Sequence, residues 1–411
     1  MGKLALKGGE PYRKKPFPSW PVYGEEELRA LKEVLYSGFW GIGGKKVEEF
    51  ERRFASFHNA QYGIAVTNGT AALEVALRAA GIQAGDEVIV PAYTFLATAS
   101  SVLYVNACPV FVDIDPETYN IDPRKVEEAI TDKTKAIIPV HIGGCPADMD
   151  AIMDVARKHD LKVIEDAAQA HAAEWKGRKV GAIGDLGTFS FQSSKNITSG
   201  EGGIILTNDR NLYELAWSYH NCGRRKEEAW YRHFILGGNY RMTEFQAAIL
   251  LAQLGRVEEQ TKRRNENALY LSKRLSEIPG IRPLKRDPRV TSHAYHLYIF
   301  RYDAREFEGL PRERFIQALN AEGIPCSPGY TPLYRMPFFE SIGRCPLSCP
   351  YHGRKIDYAS LSLPVTERAC NEEAVWLKQS IFLGTKEDMD DIVGAVWKIR
   401  ENVEELMERK P

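Results

Sequence analysis

The sequence predicts an α/β protein. A larger part, residues 1–250, is built on a mostly parallel mixed sheet flanked by helices, and a smaller α+β part spans residues 251–411. Three observations predict this. From about Gln61 to Asn208, short apolar runs rich in Val, Ile or Phe alternate with amphipathic stretches, the pattern of a parallel sheet covered on both faces. A long helical pattern follows Thr243 and becomes strongly charged. Beyond it, strand and helix periods mix with Pro-rich turns, as in a compact α+β unit. A length of 411 residues accommodates both parts.

Two helices come first. Glu25–Tyr36 repeats Leu28, Leu31 and Leu35, and Val47–His58 repeats Val47, Phe50, Phe54 and Phe57, both at the period of core-facing helices. Strands are expected at Gly63–Thr67, Glu87–Pro91, Pro109–Asp113, Lys135–His141, Val163–Asp166, Gly187–Phe191 and Gly202–Thr207. Helices fall between many of them, at Thr70–Ala80, Leu96–Val105, Pro123–Ile130 and Ala147–His159. Such sheets bind ligands beyond the carboxyl ends of their strands. After Thr243 one helical pattern reaches about Ile278, with its later part, Arg263–Lys273, highly charged; it reads as a bridge between the two parts. The smaller part carries a strand near Tyr295–Tyr302 and helices at Arg312–Glu322 and Lys386–Asn402, the last opened by a capping box, Thr385-x-x-Asp388.

Composition removes several function classes. With 54 Lys+Arg against 55 Asp+Glu, the formal charge is -1, a poor basis for coating nucleic acid or binding an anionic membrane. Fractions of 44% hydrophobic and 27% charged residues exclude a disordered or collagen-like chain. No run approaches the ~18 apolar residues of a membrane span. The opening MGKLALKGGEPYRKKPF has no apolar run of signal-peptide length, and Leu6 stands where a myristoylation pattern has Ser or Thr. Seven scattered cysteines, an odd number, suit a reducing cytoplasm better than a disulfide framework. Cys345-x3-Cys349 with His352 lacks an evident fourth ligand, so no metal is expected.

Three segments carry chemistry. Asn68-Gly69-Thr70 follows a strand and opens a helix; free N–H groups and the positive end of the helix dipole can hold a phosphate there, although a plain capped turn has the same form. Asp166 ends a buried strand, where a carboxylate can bind a metal, cap a helix or pair with a cation. Lys195 lies between two apolar strands in a stretch with no other charge until Glu201. A desolvated lysine has a lowered pKa and can form a Schiff base. A phosphate cradle, an acid to hold a pyridinium and such a lysine together point to pyridoxal 5'-phosphate.

The segments NGTAAL, PAYTFLATA, PVHIGGCPADMDAI, EDAAQAH, FSFQSSK, TSGEGG and NYRMTEFQAA follow one another in an order that resembles the DegT/StrS-type sugar aminotransferases, a branch of the fold-type I pyridoxal-phosphate transferases. The resemblance runs from Phe17-Pro18-Ser19-Trp20-Pro21 to the final helix. It implies catalytic roles for Lys195, as Schiff-base lysine and general acid/base, and for Asp166, which would accept a bond from the pyridine nitrogen. It implies further that Gln169 approaches the cofactor's phenolic oxygen, that Phe95 stacks on the ring, and that Gly69, Thr70 and Ser190 hold the phosphate. Asn239 would reach the phosphate of a neighbouring subunit, implying a homodimer with shared active sites. Without the resemblance, Phe95 reads as core, Ser190 as a backbone-bonding hydroxyl and Asn239 as a turn residue. His171 is expected behind the site, Tyr295 and His296 at its entrance, and Arg241 or Arg224 on the donor carboxylate.

The implied activity is a ping-pong amino transfer from L-glutamine or L-glutamate to a ketone, in the cytoplasm, with no nucleic-acid or membrane partner. Lys195 argues for aminotransfer, since relatives with His at this point are sugar dehydratases. Leu361-Ser362-Leu363-Pro364-Val365 and the stretch from Asn371 to Gly384 resemble the branch of the glutamine:scyllo-inosose aminotransferases and aminohydroxybenzoate synthases, so the expected acceptor is a keto-cyclitol or keto-sugar. A nucleotide-linked 3- or 4-keto sugar, or a pyridoxal-phosphate-binding regulator without turnover, is the alternative.

Overall fold

The computed structural model describes residues 2–342 and 357–407; Cys345, Cys349 and His352 lie outside them. In chain order the strands are β1 (Tyr62–Val66), β2 (Glu87–Pro91), β3 (Cys108–Val112), β4 (Thr134–Ile137), β5 (Lys162–Asp166), β6 (Glu174–Trp175), β7 (Arg178–Lys179), β8 (Leu186–Ser190), β9 (Gly203–Thr207), β10 (Ile281–Pro283), β11 (Val290–Ser292), β12 (Leu297–Tyr302), β13 (Cys326–Ser327) and β14 (Ala374–Lys378). The helices that matter for the site are α1 (Glu25–Ser37), α2 (Lys46–Phe57), α3 (Gly69–Ala79), α4 (Ala97–Tyr104), α5 (Pro123–Glu128), α6 (Met149–His159), α7 (Arg210–His220), α8 (Glu244–Leu254), α9 (Val257–Leu275) and α10 (Arg312–Ala321).

Seven strands form the large sheet in the order β1-β9-β8-β5-β4-β2-β3. β2 pairs in parallel with β3 and β4, β4 with β5, and β5 with β8. β9 runs antiparallel to both β8 and β1. Six strands therefore end on one edge, and β9 alone runs against them. The strands are nearly all buried because helices cover both faces. A second, antiparallel sheet has the order β10-β12-β14-β13. A small sheet of order β11-β6-β7 also forms.

The structure departs from the expected elements in four places, each for a local reason. The expected strand Lys135–His141 stops at Ile137; Pro139 has no N–H to give the ladder, and only an isolated bridge joins Val140 to Asp166. The single helix expected after Thr243 is two, broken at Gly255 and Arg256 between α8 and α9, glycine being a weak helix former. In α1 the buried residues are Glu27 and Val34, while Leu28 and Leu35 are exposed. Glu27 accepts a hydrogen bond from Gln253 Nε2 at 2.9 Å and pairs with Arg256, so polar contacts to α8 rather than the leucine repeat set the rotation of α1. Finally, the first residues, expected with the larger part, pack on the smaller one. Leu4 joins its core, Arg13 pairs with Asp388 and Asp391 at 2.8 and 2.6 Å, and buried Glu322 accepts the amides of Ala5 and Tyr12 at 2.8 Å each. The Thr385–Asp388 capping box opens the last helix, Lys386–Glu401. Among the described residues no helix is long and apolar enough to cross a membrane.

Candidate active site

The carboxyl ends of the parallel strands open into a cavity of about 1210 Å³. Its floor comes from the large sheet: Asn68, Gly69 and Thr70 after β1, Phe95 after β2, Asp166 at the end of β5, and Ser190 at the end of β8. Lys195 and Gln169 line it as well. The opposite wall comes from the smaller part, with His296, Tyr330, Trp376 and Gln379, and Trp20 closes one side.

Each floor residue is held by its own stretch of chain. Asn68 caps α3, its Oδ1 accepting the Ala71 amide at 2.9 Å. The Gly69 and Thr70 amides stand in the first turn, where helix geometry provides no internal acceptor. A Cβ on Gly69 would lie 2.7 Å from Ser190 Cβ, so the helix start and the end of β8 meet in a cradle that only glycine permits. Lys195 sits on a loop tied back to β8: the Phe191 carbonyl accepts Thr198 Oγ1 at 3.0 Å and the Ser199 amide at 3.2 Å, and the Lys195 amide bonds the Gln192 carbonyl at 2.9 Å. Asn196 next to it is buried and donates to the Ala294 carbonyl at 2.7 Å.

Asp166 accepts hydrogen bonds from Thr98 Oγ1 at 2.8 Å and from the Ala168 amide at 3.2 Å. Burial raises its pKa, with Thr98 opposing. Burial likewise pushes Lys195 down to about 8, with Asp166 pulling the other way. Burial thus makes the Lys195 amine easier to deprotonate than a solvated lysine, and the Asp166 carboxylate keeps capacity to accept from an N–H donor bound in the cavity. Glu165 points to the opposite side of β5. It accepts His141 Nε2 at 3.0 Å and the Gly181, Ile183 and Gly184 amides at 2.7 Å each. Because the Ala147 amide donates to His141 Nδ1 at 3.0 Å, the imidazole proton is on Nε2 and faces Glu165. This buried network anchors the strand end that carries Asp166.

Of the residues expected at the site, Gly69, Thr70, Phe95, Asp166, Gln169, Ser190, Lys195 and His296 line this cavity. Phe95 is 60% exposed within it, so it is not a core residue and its ring is free to lie against a planar ligand. Gln169 is already committed, accepting the Gly143 amide at 2.7 Å and donating to Tyr330 OH at 2.8 Å.

Three expectations are corrected. His171 does not reach the substrate space: it stands behind the site as a fully buried ring among Phe54, Phe189 and Phe191, because its strand-end loop turns it into the aromatic core, and burial pushes its pKa well down. Tyr295 is buried in the core of the smaller part, stacked on His293 at 3.7 Å. Arg241 bonds Asn221 Oδ1 at 2.9 Å and, with Asn239, lines a second cavity of about 1110 Å³ beside α2 rather than this one. Arg224 is likewise away from Lys195, lying over the Trp230 ring at 3.9 Å. Sequence reasoning missed Thr98, Tyr330, Trp376 and Gln379. Thr98 lies within the PAYTFLATA run, and Trp376 and Gln379 lie within the stretch from Asn371 to Gly384, but nothing in either segment shows which side chain faces the site; Tyr330 comes from a segment with no local signal.

A sequence profile of the DegT/DnrJ/EryC1/StrS aminotransferase family matches residues 21–382. A protein of Streptoalloteichus tenebrarius, named provisionally as an L-glutamine:3-amino-2,3-dideoxy-scyllo-inosose aminotransferase, is 44% identical over 98% of this chain and 99% of its own length. A second from the same organism, named L-glutamine:2-deoxy-scyllo-inosose aminotransferase, is 41% identical over 98% and 99%. The 3-amino-5-hydroxybenzoate synthase of Amycolatopsis mediterranei is 38% identical over 92% and 96%. The crystal structure of a 3-amino-5-hydroxybenzoic acid synthase superposes with a TM-score of 0.85 at 37% identity, covering 94% of this chain and all of that one.

Proposed function

The chain belongs to the DegT/DnrJ/EryC1/StrS aminotransferase family, and we propose from this that it transfers an amino group from L-glutamine or L-glutamate to a keto-cyclitol or keto-sugar, with pyridoxal 5'-phosphate as cofactor. The observation that carries the reading is Lys195 and Asp166 on one cavity wall with a glycine-dependent cradle beside them. The residues fit the cofactor. The space a Cβ on Gly69 would fill, the free first-turn amides and Ser190 suit its phosphate; Asp166 suits its ring nitrogen; exposed Phe95 suits its ring face. When bound, the cofactor supplies an aldehyde that bonds an amine and a ring that draws electrons from it.

The chain's own residues do the rest. Lys195 Nζ holds the cofactor and, with its pKa lowered by burial, takes and returns a proton at the Cα of the amino donor. Thr98 and the Ala168 amide orient the Asp166 carboxylate so that it keeps a proton on the bound ring nitrogen. Gln169, fixed at both ends, orients Tyr330 across the cavity.

The scyllo-inosose aminotransferase relatives support a cyclitol ketone as acceptor and glutamine as donor. A second copy of this chain fits the same reading. Asn239 and Arg241 line the second cavity, and exposed Phe39, Trp40, Ile42, Trp230, Tyr231 and Leu236 lie along the same segments, so their apolar area favours a homodimer in which Asn239 reaches the partner's site. Free cysteines, among the described residues Cys108, Cys145, Cys222, Cys326 and Cys370, suit a cytoplasmic setting.

Lys195→Ala tests the proposal. The variant is expected to fold, to lose amino transfer to 2-deoxy-scyllo-inosose, and to lose the borohydride-stable B6 label that peptide mapping finds at position 195 in the parent. Normal transfer by the variant would refute it.

A further inference from the structure

We propose that Gln379, held in place by the buried guanidinium of Arg264, recognises the α-carboxylate of the amino donor. The inference rests on reading the Lys195 cavity as an aminotransferase site. Gln379 would touch the substrate; Arg264 is a positioning residue.

Arg264 projects from α9 and is fully buried. Among the described residues its hydrogen bonds both go to one atom, Gln379 Oε1, from Nε at 3.0 Å and Nη2 at 2.5 Å. Its Nη1 has no hydrogen-bond partner. The Trp20 ring lies 5.5 Å from its Cζ. None of the cavity carboxylates, Glu74, Asp166 and Glu201, pairs with it. Burial lowers its pKa only to about 9, so it stays charged at neutral pH. A buried cation without a counter-ion is costly, and an anion bound nearby offsets that cost.

Gln379 carries the charge's influence to the cavity. A guanidinium only donates, so the amide oxygen must face Arg264 and the amide cannot flip. The N–H2 group is then on the other branch. It bonds nothing among the described residues, and Gln379 lines the cavity. A donor polarised by an adjacent cation is stronger than a free amide.

The two substrates differ in charge. The amino donor has an α-carboxylate; a cyclitol ketone offers only hydroxyl and carbonyl oxygens. Both visit one cavity, so a site biased toward an anion favours the donor. Lys378, adjacent and also on the cavity wall, is an exposed lysine at the rim and is the rival anchor.

The test uses the cofactor-loaded full-length protein and follows the cofactor's absorbance as substrate is titrated. L-glutamine, its α-amide, and 2-deoxy-scyllo-inosamine (for the reverse direction) are the probes. Gln379→Leu should raise the half-saturating concentration of L-glutamine about 10- to 100-fold, as expected for a lost hydrogen bond to a charged group. That of the aminocyclitol should stay within about 3-fold. The parent should prefer L-glutamine over its α-amide, and Gln379→Leu should lose that preference. Arg264→Lys, which keeps the charge but not the two-pronged hold, should fall between them. Equal weakening of donor and aminocyclitol, or a donor defect found in Lys378→Met and not in Gln379→Leu, overturns the proposal. If the parent responds to none of the probes, the aminotransferase reading fails and this inference falls with it.

Discussion

Gly69→Ala puts a methyl carbon 2.7 Å from Ser190 Cβ and 3.2 Å from Ser190 Oγ. Carbon–carbon contacts settle at about 3.5–4.0 Å, so something must move by roughly 1 Å. Ser190 is poorly placed to yield, being registered against Gly203 of β9 at the end of β8. Gly203 cannot yield either, since its own Cβ position is 2.4 Å from the Asn68 carbonyl oxygen. The start of α3 must therefore shift, and overpacking of this kind costs about 1–3 kcal/mol. If the strain falls on the cradle, affinity for pyridoxal 5'-phosphate drops about 5- to 150-fold. Fluorescence titration of the cofactor-free protein measures it, with pyridoxal as the control that lacks a phosphate. Pyridoxal affinity should change far less. Equal losses for both ligands, or an unchanged pyridoxal-phosphate affinity, would show that the cradle does not hold the phosphate.

Two further outcomes follow from the buried charges. Glu165→Gln turns an N–H2 group toward two of the four donors now bonded by the carboxylate, and urea denaturation should show a loss of about 2–5 kcal/mol; a loss under about 0.5 kcal/mol would contradict the anchoring role. Burial alone would raise the Glu165 pKa, but His141 and the amides outweigh it and hold it below 4.5. Its contribution is therefore present above pH 4.5 and lost as pH falls through the folded value, so the parent should lose more stability in acid than the variant. For Lys195 the sign is opposite in origin: with its pKa lowered from 10.5 to about 8, the charged form opposes folding below pH 8, and the cofactor-free protein should gain stability as pH rises from 8 to 10.5. The rate at which pyridoxal 5'-phosphate bonds Lys195 should rise with pH and level off above about 8; a rise that continues through 10, as for a solvated lysine, would contradict the buried-amine reading.

The strands of the large sheet were legible because each is an apolar run with short-range boundaries. Glu87–Pro91 comes out as expected, and the others shift by a residue or a few. Residues tied to a strand end, such as Asp166 and Ser190, were legible for the same reason: a parallel sheet puts polar residues at one edge, whatever the rest does. Misreadings came where two segments compete for one surface. The leucine repeat of α1 predicts a face that α8 does not take, because Glu27 finds Gln253 and Arg256 there. His171 and Tyr295 stand within two positions of site residues in sequence, yet each side chain packs into a core.

The sequence alone determined the family, the lysine–acid pair and the helix start that offers amides to an anion, since each depends on residues within a few positions of one another. The second cavity wall, and the long-range bonds that hold the floor, were decided only by tertiary structure. Thr98 reaches Asp166 across 68 positions, Gln169 reaches Tyr330 across 161, and Arg264 reaches Gln379 across 115. The reason is physical: a hydrogen bond between distant segments depends on where packing of the two sheets places their backbones, and no local period or spacing encodes that distance.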